Sequence, residues 1–260
     1  RYTASSVFPN ANDSACARKM GNIFKVFFSI SCLIIVSSCD VFLVQKKEIY
    51  ECESHIEEVY ENTPLNNFEQ TKFKDLLENR FPKYKAMFEK ASEETSIDTD
   101  LLAAISFQES QWDPKAKSNM GVRGMMMVTL ETAALVGVKK RLNPEQNIMG
   151  GAKYLAMLQE RNIYGKTTAD QLSISLAKYN LGPTNIINIA KEIGKEPDEI
   201  TWPDLESELK NISGEDVNLI DVNGYSRGQQ AIDYVNRIKN YYKLLAAHSC
   251  TQPKDQLTFF

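Results

Sequence analysis

The two histidines, His55 and His248, and the five cysteines, Cys16, Cys32, Cys39, Cys52 and Cys250, leave the long stretch from 56 to 247 without either residue type. That stretch excludes a Ser-His-Asp triad, a Cys-His pair and a zinc centre with nitrogen or sulfur ligands, and it calls for no metal and no organic cofactor. Chemistry there falls to carboxylates, hydroxyls, lysines or backbone groups. Glu109 is the carboxylate with the most suggestive surroundings, Ala104-Ile105-Ser106-Phe107-Gln108-Glu109-Ser110-Gln111-Trp112-Asp113-Pro114. The residue before a proline is pushed out of the helical region, so Asp113-Pro114 must interrupt this helix and Glu109 falls in its last turn. There the negative end of the helix dipole disfavours a charged carboxyl, and burial beside Phe107, Trp112 or the nearby methionines acts in the same direction. A raised pKa keeps the group protonated near neutral pH, which suits a general acid for a glycosidic oxygen. A solitary glutamate on an amphipathic helix is ordinarily a surface residue, so the assignment depends on its neighbours.

Two further stretches supply them. Residues 118–129 run Ser118-Asn119-Met120-Gly121-Val122-Arg123-Gly124-Met125-Met126-Met127-Val128-Thr129, and residues 176–182 run Leu176-Ala177-Lys178-Tyr179-Asn180-Leu181-Gly182. Gly121 and Gly124 permit close approach of a loop to a ligand. Methionines are more often core than cleft, and of Met125, Met126 and Met127 only Met126 is assigned to the cleft. Glycosidases with two carboxylates place the second roughly 5 to 9.5 Å from the first. Asp113 is the neighbouring candidate, but its place before Pro114 fits a turn residue better.

The elements that must hold these residues read as helices, since apolar residues recur at helical spacing from Phe68 onward with no period-two pattern. Phe81, Tyr84, Phe88 and Ala91 space a first helix. Asp98 is the N-cap of the next, which carries Glu109. Asn143-Pro144-Glu145 starts a helix to about residue 161, residues 168–181 form another ended by Gly182-Pro183, and residues 197–226 hold a short helix within loops. Ala231, Val235, Ile238, Tyr242 and Leu245 line one face of a final long helix. The fold class is all-α.

The three stretches, in this order and spacing, resemble the catalytic domain of the lysozyme-like lytic transglycosylases. Gly150-Gly151-Ala152 with Tyr154-Leu155, and Gly224-Tyr225-Ser226-Arg227-Gly228, extend the likeness across residues 82–246, towards the membrane-bound branch of that family. The resemblance implies a lysozyme-like fold with a substrate cleft and, as substrate, peptidoglycan glycan strands, cut at the MurNAc-GlcNAc β-1,4 bond with formation of 1,6-anhydro-MurNAc ends. Glu109 would be general acid and base; no second carboxylate is needed, because the sugar's C6 hydroxyl closes on the anomeric carbon at high effective concentration. It further implies that the Tyr179 hydroxyl hydrogen-bonds and orients Glu109, that Ser118, Gly124, Met126 and Asn180 bind substrate, and that Ser110 supports the helix end. Two departures stand out: Met127 replaces the Gln that many relatives outside this branch carry, and the branch's large solute-binding-like domain has no counterpart between 40 and 68. The competing functions are a hydrolytic muramidase of goose-lysozyme type and a non-catalytic glycan-binding lipoprotein.

The start of the chain reads as an export signal. Met20 is a plausible initiator, Lys25 precedes the apolar run 26–36, and that run is too short for the roughly 20 residues needed to span a bilayer. Ser37-Ser38 before Cys39 resembles a lipobox, which makes Cys39 the lipid attachment site; a buried hydrophobic helix with an incidental cysteine is the other reading. Several acyl chains on one residue suffice for stable anchoring. The organisation is then an upstream extension and signal peptide over 1–39, a tether over 40–68, the catalytic domain over 69–247 and a tail over 248–260. The expected location is a periplasm-facing lipoprotein in the cell envelope. Asp40 suggests the inner membrane by the enterobacterial sorting rule, while the host, and so the membrane, stays open. In an oxidising compartment Cys52 and Cys250 could pair. A net charge of -4 and a pI near 5.4 disfavour nucleic acid as a partner.

Overall fold

The computed structural model describes residues 52–119, 121–211 and 226–249. Among them helices are the regular elements, with isolated antiparallel bridges pairing Lys117 with Arg123 and Arg123 with Val128. We number the α-helices in chain order: α1 (52–61), α2 (Asn67–Asn79), α3 (Lys85–Thr95), α4 (Thr99–Ser110), α5 (Leu130–Leu135), α6 (Pro144–Glu160), α7 (Thr168–Leu181), α8 (Pro183–Glu192), α9 (Trp202–Asn211) and α10 (Arg227–His248). No helix among the described residues is long and apolar enough to cross a membrane. Cys39 and Cys250 lie outside the described residues, whereas Cys52 is disulfide-bonded.

Helix α4 is the axis. Every residue from Leu101 to Phe107 is buried, so this helix is covered all round, as expected of an element at the centre of a bundle. Its start is fixed by the Asp98 carboxylate, which accepts from the backbone N–H groups of Asp100 (2.9 Å) and Leu101 (3.2 Å). Helix α10 packs along α4 and α7, α3 joins α4 to α6, and α8 and α9 close the far side of α7. The other expected starts also appear: Asn143 accepts from Gln146 N–H with Pro144 in the first turn of α6, and Thr167 and Asp170 form a reciprocal capping box on α7.

Three features differ from the reading of the sequence. Residues 52–61 are helical and Tyr60 and Leu65 belong to the core, where a tether was expected as far as 68. Gly182-Pro183 ends α7 and at once begins α8, because a proline at the first helical position lacks only an N–H that would have no partner there. Helix α4 stops at Ser110, ahead of Asp113-Pro114, since Gln111 (φ 54°) and Trp112 (φ 58°) both take left-handed backbone. The indole explains the turn: Trp112 is wholly buried, its Nε1–H donates to the Ala103 carbonyl at 2.9 Å, and its ring packs on Phe73, Phe81 and Phe107 at 4.7–5.9 Å between centroids.

Candidate active site

Glu109 is the penultimate residue of α4 and partly exposed. The Tyr234 hydroxyl, from α10, donates to its Oε1 at 2.7 Å. Burial pushes the Glu109 carboxyl up to about 7, a rise that the Tyr234 hydrogen bond moderates by favouring the carboxylate. The Tyr234 phenol is itself held well above its ordinary 10.0, first by burial and then by the charge of Glu109, so it stays a donor.

This corrects the expectation for Tyr179. Its hydroxyl donates to the Met126 carbonyl at 2.8 Å, and the group on Glu109 is Tyr234. Tyr179 nonetheless borders the acid: burial raises its pKa first, and the negative charge of Glu109 raises it next. Its half-buried ring meets the Tyr154 ring at 5.4 Å. Asn180, at the end of α7, is exposed.

The loop after α4 is pinned to the acid's helix from several sides. The Ser106 and Ser110 hydroxyls both reach the Met125 carbonyl, at 3.0 and 2.8 Å, which gives Ser110 the supporting role expected of it. Buried Asn147 of α6 accepts from Met126 N–H at 2.7 Å and donates to the carbonyls of Arg123 (3.1 Å) and Arg141 (2.7 Å). A single amide thus satisfies two backbone groups of this loop, which has little regular pairing of its own, and ties it to a third, at Arg141 ahead of α6. The two glycine features are packing devices. A Cβ on Gly124 (φ 92°) would collide with the Asn147 amide, and one on Gly151 would come within 2.5 Å of the Met126 Cβ.

Two assigned substrate contacts are corrected by this packing. The Met126 side chain is wholly buried against Gly151 and presents nothing to the cleft. Gly124 is buried too, its N–H bonded to Ala116 and its carbonyl to Met127, so the residue it approaches closely is Asn147. Ser118 is half-buried, and its oxygen accepts from Val122 N–H at 3.1 Å to close the turn through Gly121. Asp113 behaves as a turn residue, its Oδ1 accepting from Lys115 N–H at 2.9 Å. Cavities of about 280 and 460 Å³ lie elsewhere, at the start of α4 and beside α6, and neither is lined by Glu109.

Tyr234 and Asn147 are the functional residues that the sequence did not reveal. Tyr234 lies 125 positions from Glu109 and beside an apolar helical face, where a tyrosine reads as core. Asn147 did carry a signal, as a lone amide beside Ile148, Gly150 and Gly151 on a buried face.

Residues 86–201 match the model of the transglycosylase SLT domain. Proteins named membrane-bound lytic murein transglycosylase F from Alkalilimnicola ehrlichii (its "F 2") and Saccharophagus degradans are 43% and 40% identical over 168 and 177 residues, 64% and 67% of this chain and 37% and 35% of theirs. The like-named protein of Hahella chejuensis is 33% identical over 247 residues, 92% of this chain and 48% of its own. The chain therefore spans about half the length, or less, of these curated relatives. Among solved structures, the 70 kDa soluble lytic transglycosylase of Escherichia coli matches 64% of this chain and 24% of its own at 21% identity and a TM-score of 0.47. The helix with Glu109, the pinned loop and the helix with Tyr179 all fall inside the matched residues 86–201, the part of the chain that reads as a transglycosylase SLT domain.

Proposed function

We propose that this chain is a lytic murein transglycosylase that cleaves the MurNAc-GlcNAc β-1,4 bond of peptidoglycan and leaves 1,6-anhydro-MurNAc ends. The observation that carries the reading is the half-buried Glu109 carboxyl, lifted to about 7 and gripped on one oxygen by Tyr234. At neutral pH about half of such a group is protonated, against under about 1% of an ordinary glutamate. The protonated carboxyl gives its proton to the glycosidic oxygen as the bond to the anomeric carbon breaks. The C6 hydroxyl of the same sugar then bonds to that carbon and returns its proton to Glu109, so the acid is regenerated and no water is consumed.

Tyr234 is the positioning residue for the acid. Tyr179 acts on the cleft wall through the Met126 carbonyl, and half-buried Ser118 and exposed Asn180 are the substrate contacts. The names of the relatives support a place at the cell envelope, and the run Ser37-Ser38-Cys39 supports Cys39 as the acylated residue. Mass spectrometry of fragments released from purified sacculi tests the reaction. The expected products are one water lighter than reducing muropeptides. Reducing ends would identify a hydrolytic muramidase instead, and an intact sacculus with bound protein a non-catalytic binder.

A further inference from the structure

Three cations ride on the loop that follows the acid's helix. Lys115 and Lys117 are exposed and Arg123 is half-buried, and none has an ion-pair or hydrogen-bond partner for its side chain among the described residues. The chain carries a net charge of -4, and several cations elsewhere are matched with acids, as in Lys90–Glu145 (2.7 Å), Lys195–Asp204 (2.8 Å) and Arg237–Glu69 (2.7 Å). The one acid of this loop, Asp113, is turned onto the Lys115 N–H.

The cations are also held together against their mutual repulsion. Lys117 and Arg123 are directly opposite in an antiparallel bridge, an arrangement that like charges destabilise, and Lys115 precedes Lys117 by two positions. Asn147 fixes the carbonyl of Arg123, and Met125, two residues on, receives the hydroxyls of Ser106 and Ser110. The charges therefore sit on the rigid frame that holds Glu109. They are nevertheless not among the groups that move the Glu109 pKa, which responds to burial and to Tyr234. Nor would positive charge assist the bond cleavage itself, whose transition state is oxocarbenium-like and positive at the sugar. A role in binding a negative part of the substrate is what remains.

We propose that Lys115, Lys117 and Arg123 form a cationic rim that takes carboxylates carried by the glycan strand, in intact wall those of the stem peptides, so that the site prefers peptide-bearing strands. This rests on the transglycosylase reading above. The glycan backbone offers hydroxyls and amides, and its carboxylates are side-chain groups: those of the stem peptides, or the lactyl carboxylate that appears when a stem is removed. Exposed pairs of this kind are individually weak and act through summed, screened attraction.

The test compares three soluble strand preparations with the full-length protein: stems intact, stems intact with their carboxyls amidated, and stems removed by an amidase to leave lactyl carboxylates. The wild type is expected to favour intact over amidated strands by about tenfold in kcat/KM, through KM, with the preference shrinking as salt rises. Lys115→Gln/Lys117→Gln/Arg123→Gln should bring that ratio to near one, while Lys115→Arg/Lys117→Arg/Arg123→Lys should retain it. Stem-free strands that bind as poorly as amidated ones would assign the rim to the stem carboxylates, and stem-free strands bound as well as intact ones would overturn the preference for peptide-bearing strands. Equal kcat/KM of the wild type on intact and amidated strands overturns the rim, as does a ratio unchanged in the Gln variant. Failure of the wild type to cleave any preparation overturns the transglycosylase reading itself and is distinguishable from both.

Discussion

If burial lifts Glu109 as described, the acid must cost the fold stability at high pH, and Glu109→Gln should recover it. The carboxyl moves from an ordinary 4.5 to about 7. An acid whose folded pKa lies above its unfolded one stabilises the fold fully below the unfolded value and loses that contribution as pH rises through the folded value. The window is therefore from about pH 4.5 to about pH 7. Some 2.5 units at about 1.4 kcal/mol each set a ceiling near 3 kcal/mol, and solvent contact from the cleft reduces the realised figure to about 1–2 kcal/mol. The amide cannot ionise and still accepts from Tyr234, so the variant lacks this pH dependence. Urea or thermal unfolding of both proteins should give matching stabilities near pH 4 and a variant more stable by about 2–8 °C at pH 8, provided the domain unfolds in one step. A stability difference that is flat between pH 4 and pH 8 would refute the burial of the acid, whatever the variant's activity.

Four other perturbations separate the roles assigned here. Tyr234→Phe removes the donor that favours the carboxylate, so the pKa of Glu109 should rise further, shifting the alkaline limb of the pH–rate profile upward while turnover falls at least about tenfold; an unmoved profile would detach Tyr234 from the acid. Tyr179→Phe should cost about 1 kcal/mol in unfolding measurements, the worth of its bond to the Met126 carbonyl, and leave the position of that limb alone. Gly124→Ala should destabilise by about 2 kcal/mol or more because of its positive φ and the collision with Asn147, whereas Gly121→Ala, with open space around it, should cost only about 1 kcal/mol. Asp113→Asn should retain most activity in a peptidoglycan digestion assay, since the amide oxygen can accept from Lys115 N–H as the carboxylate does; a loss as complete as that of Glu109→Gln would restore a two-carboxylate mechanism.

The parts of the fold that could be read from sequence are those with local causes. Asp98, Asn143-Pro144 and Gly182 act on backbone groups within four residues of themselves, so the starts of α4 and α6 and the end of α7 were accessible. Residues 52–68 were not, because their apolar positions are sparse among charges; only the assembled core shows that Tyr60 and Leu65 are inside. The site divides in the same way. Glu109 was visible through its helix end and neighbours, and Asp113 through its proline. The hydroxyl on Glu109 was assigned to Tyr179 because that residue lies in a recognisable stretch, while the packing of α10 on α4 supplies Tyr234 instead. Met126 shows the limit of residue type as a guide: a methionine beside a glycine-rich loop suits a cleft or a core equally, and the space over Gly151 decides for the core.

The end of α4 shows how stability elsewhere is converted into geometry at the acid. Two consecutive non-glycine residues in left-handed backbone cost about 1–2 kcal/mol each. Had the helix continued through Gln111 and Trp112, the chain would have missed the turn that brings Met125 under the hydroxyls of Ser106 and Ser110. The strained turn persists because its products are well satisfied. The buried Trp112 ring contributes several kcal/mol by the usual measure of about 25 cal/mol per Å² of apolar surface, its N–H finds Ala103, and the Gln111 carbonyl accepts from Arg80 at 3.0 Å. The buried cluster of Phe73, Phe81, Phe107 and Trp112 therefore sets where the last turn of α4 stops and where Glu109 points. It also ties the rim cations to the acid, since the loop that carries the first begins at the turn that ends the helix of the second.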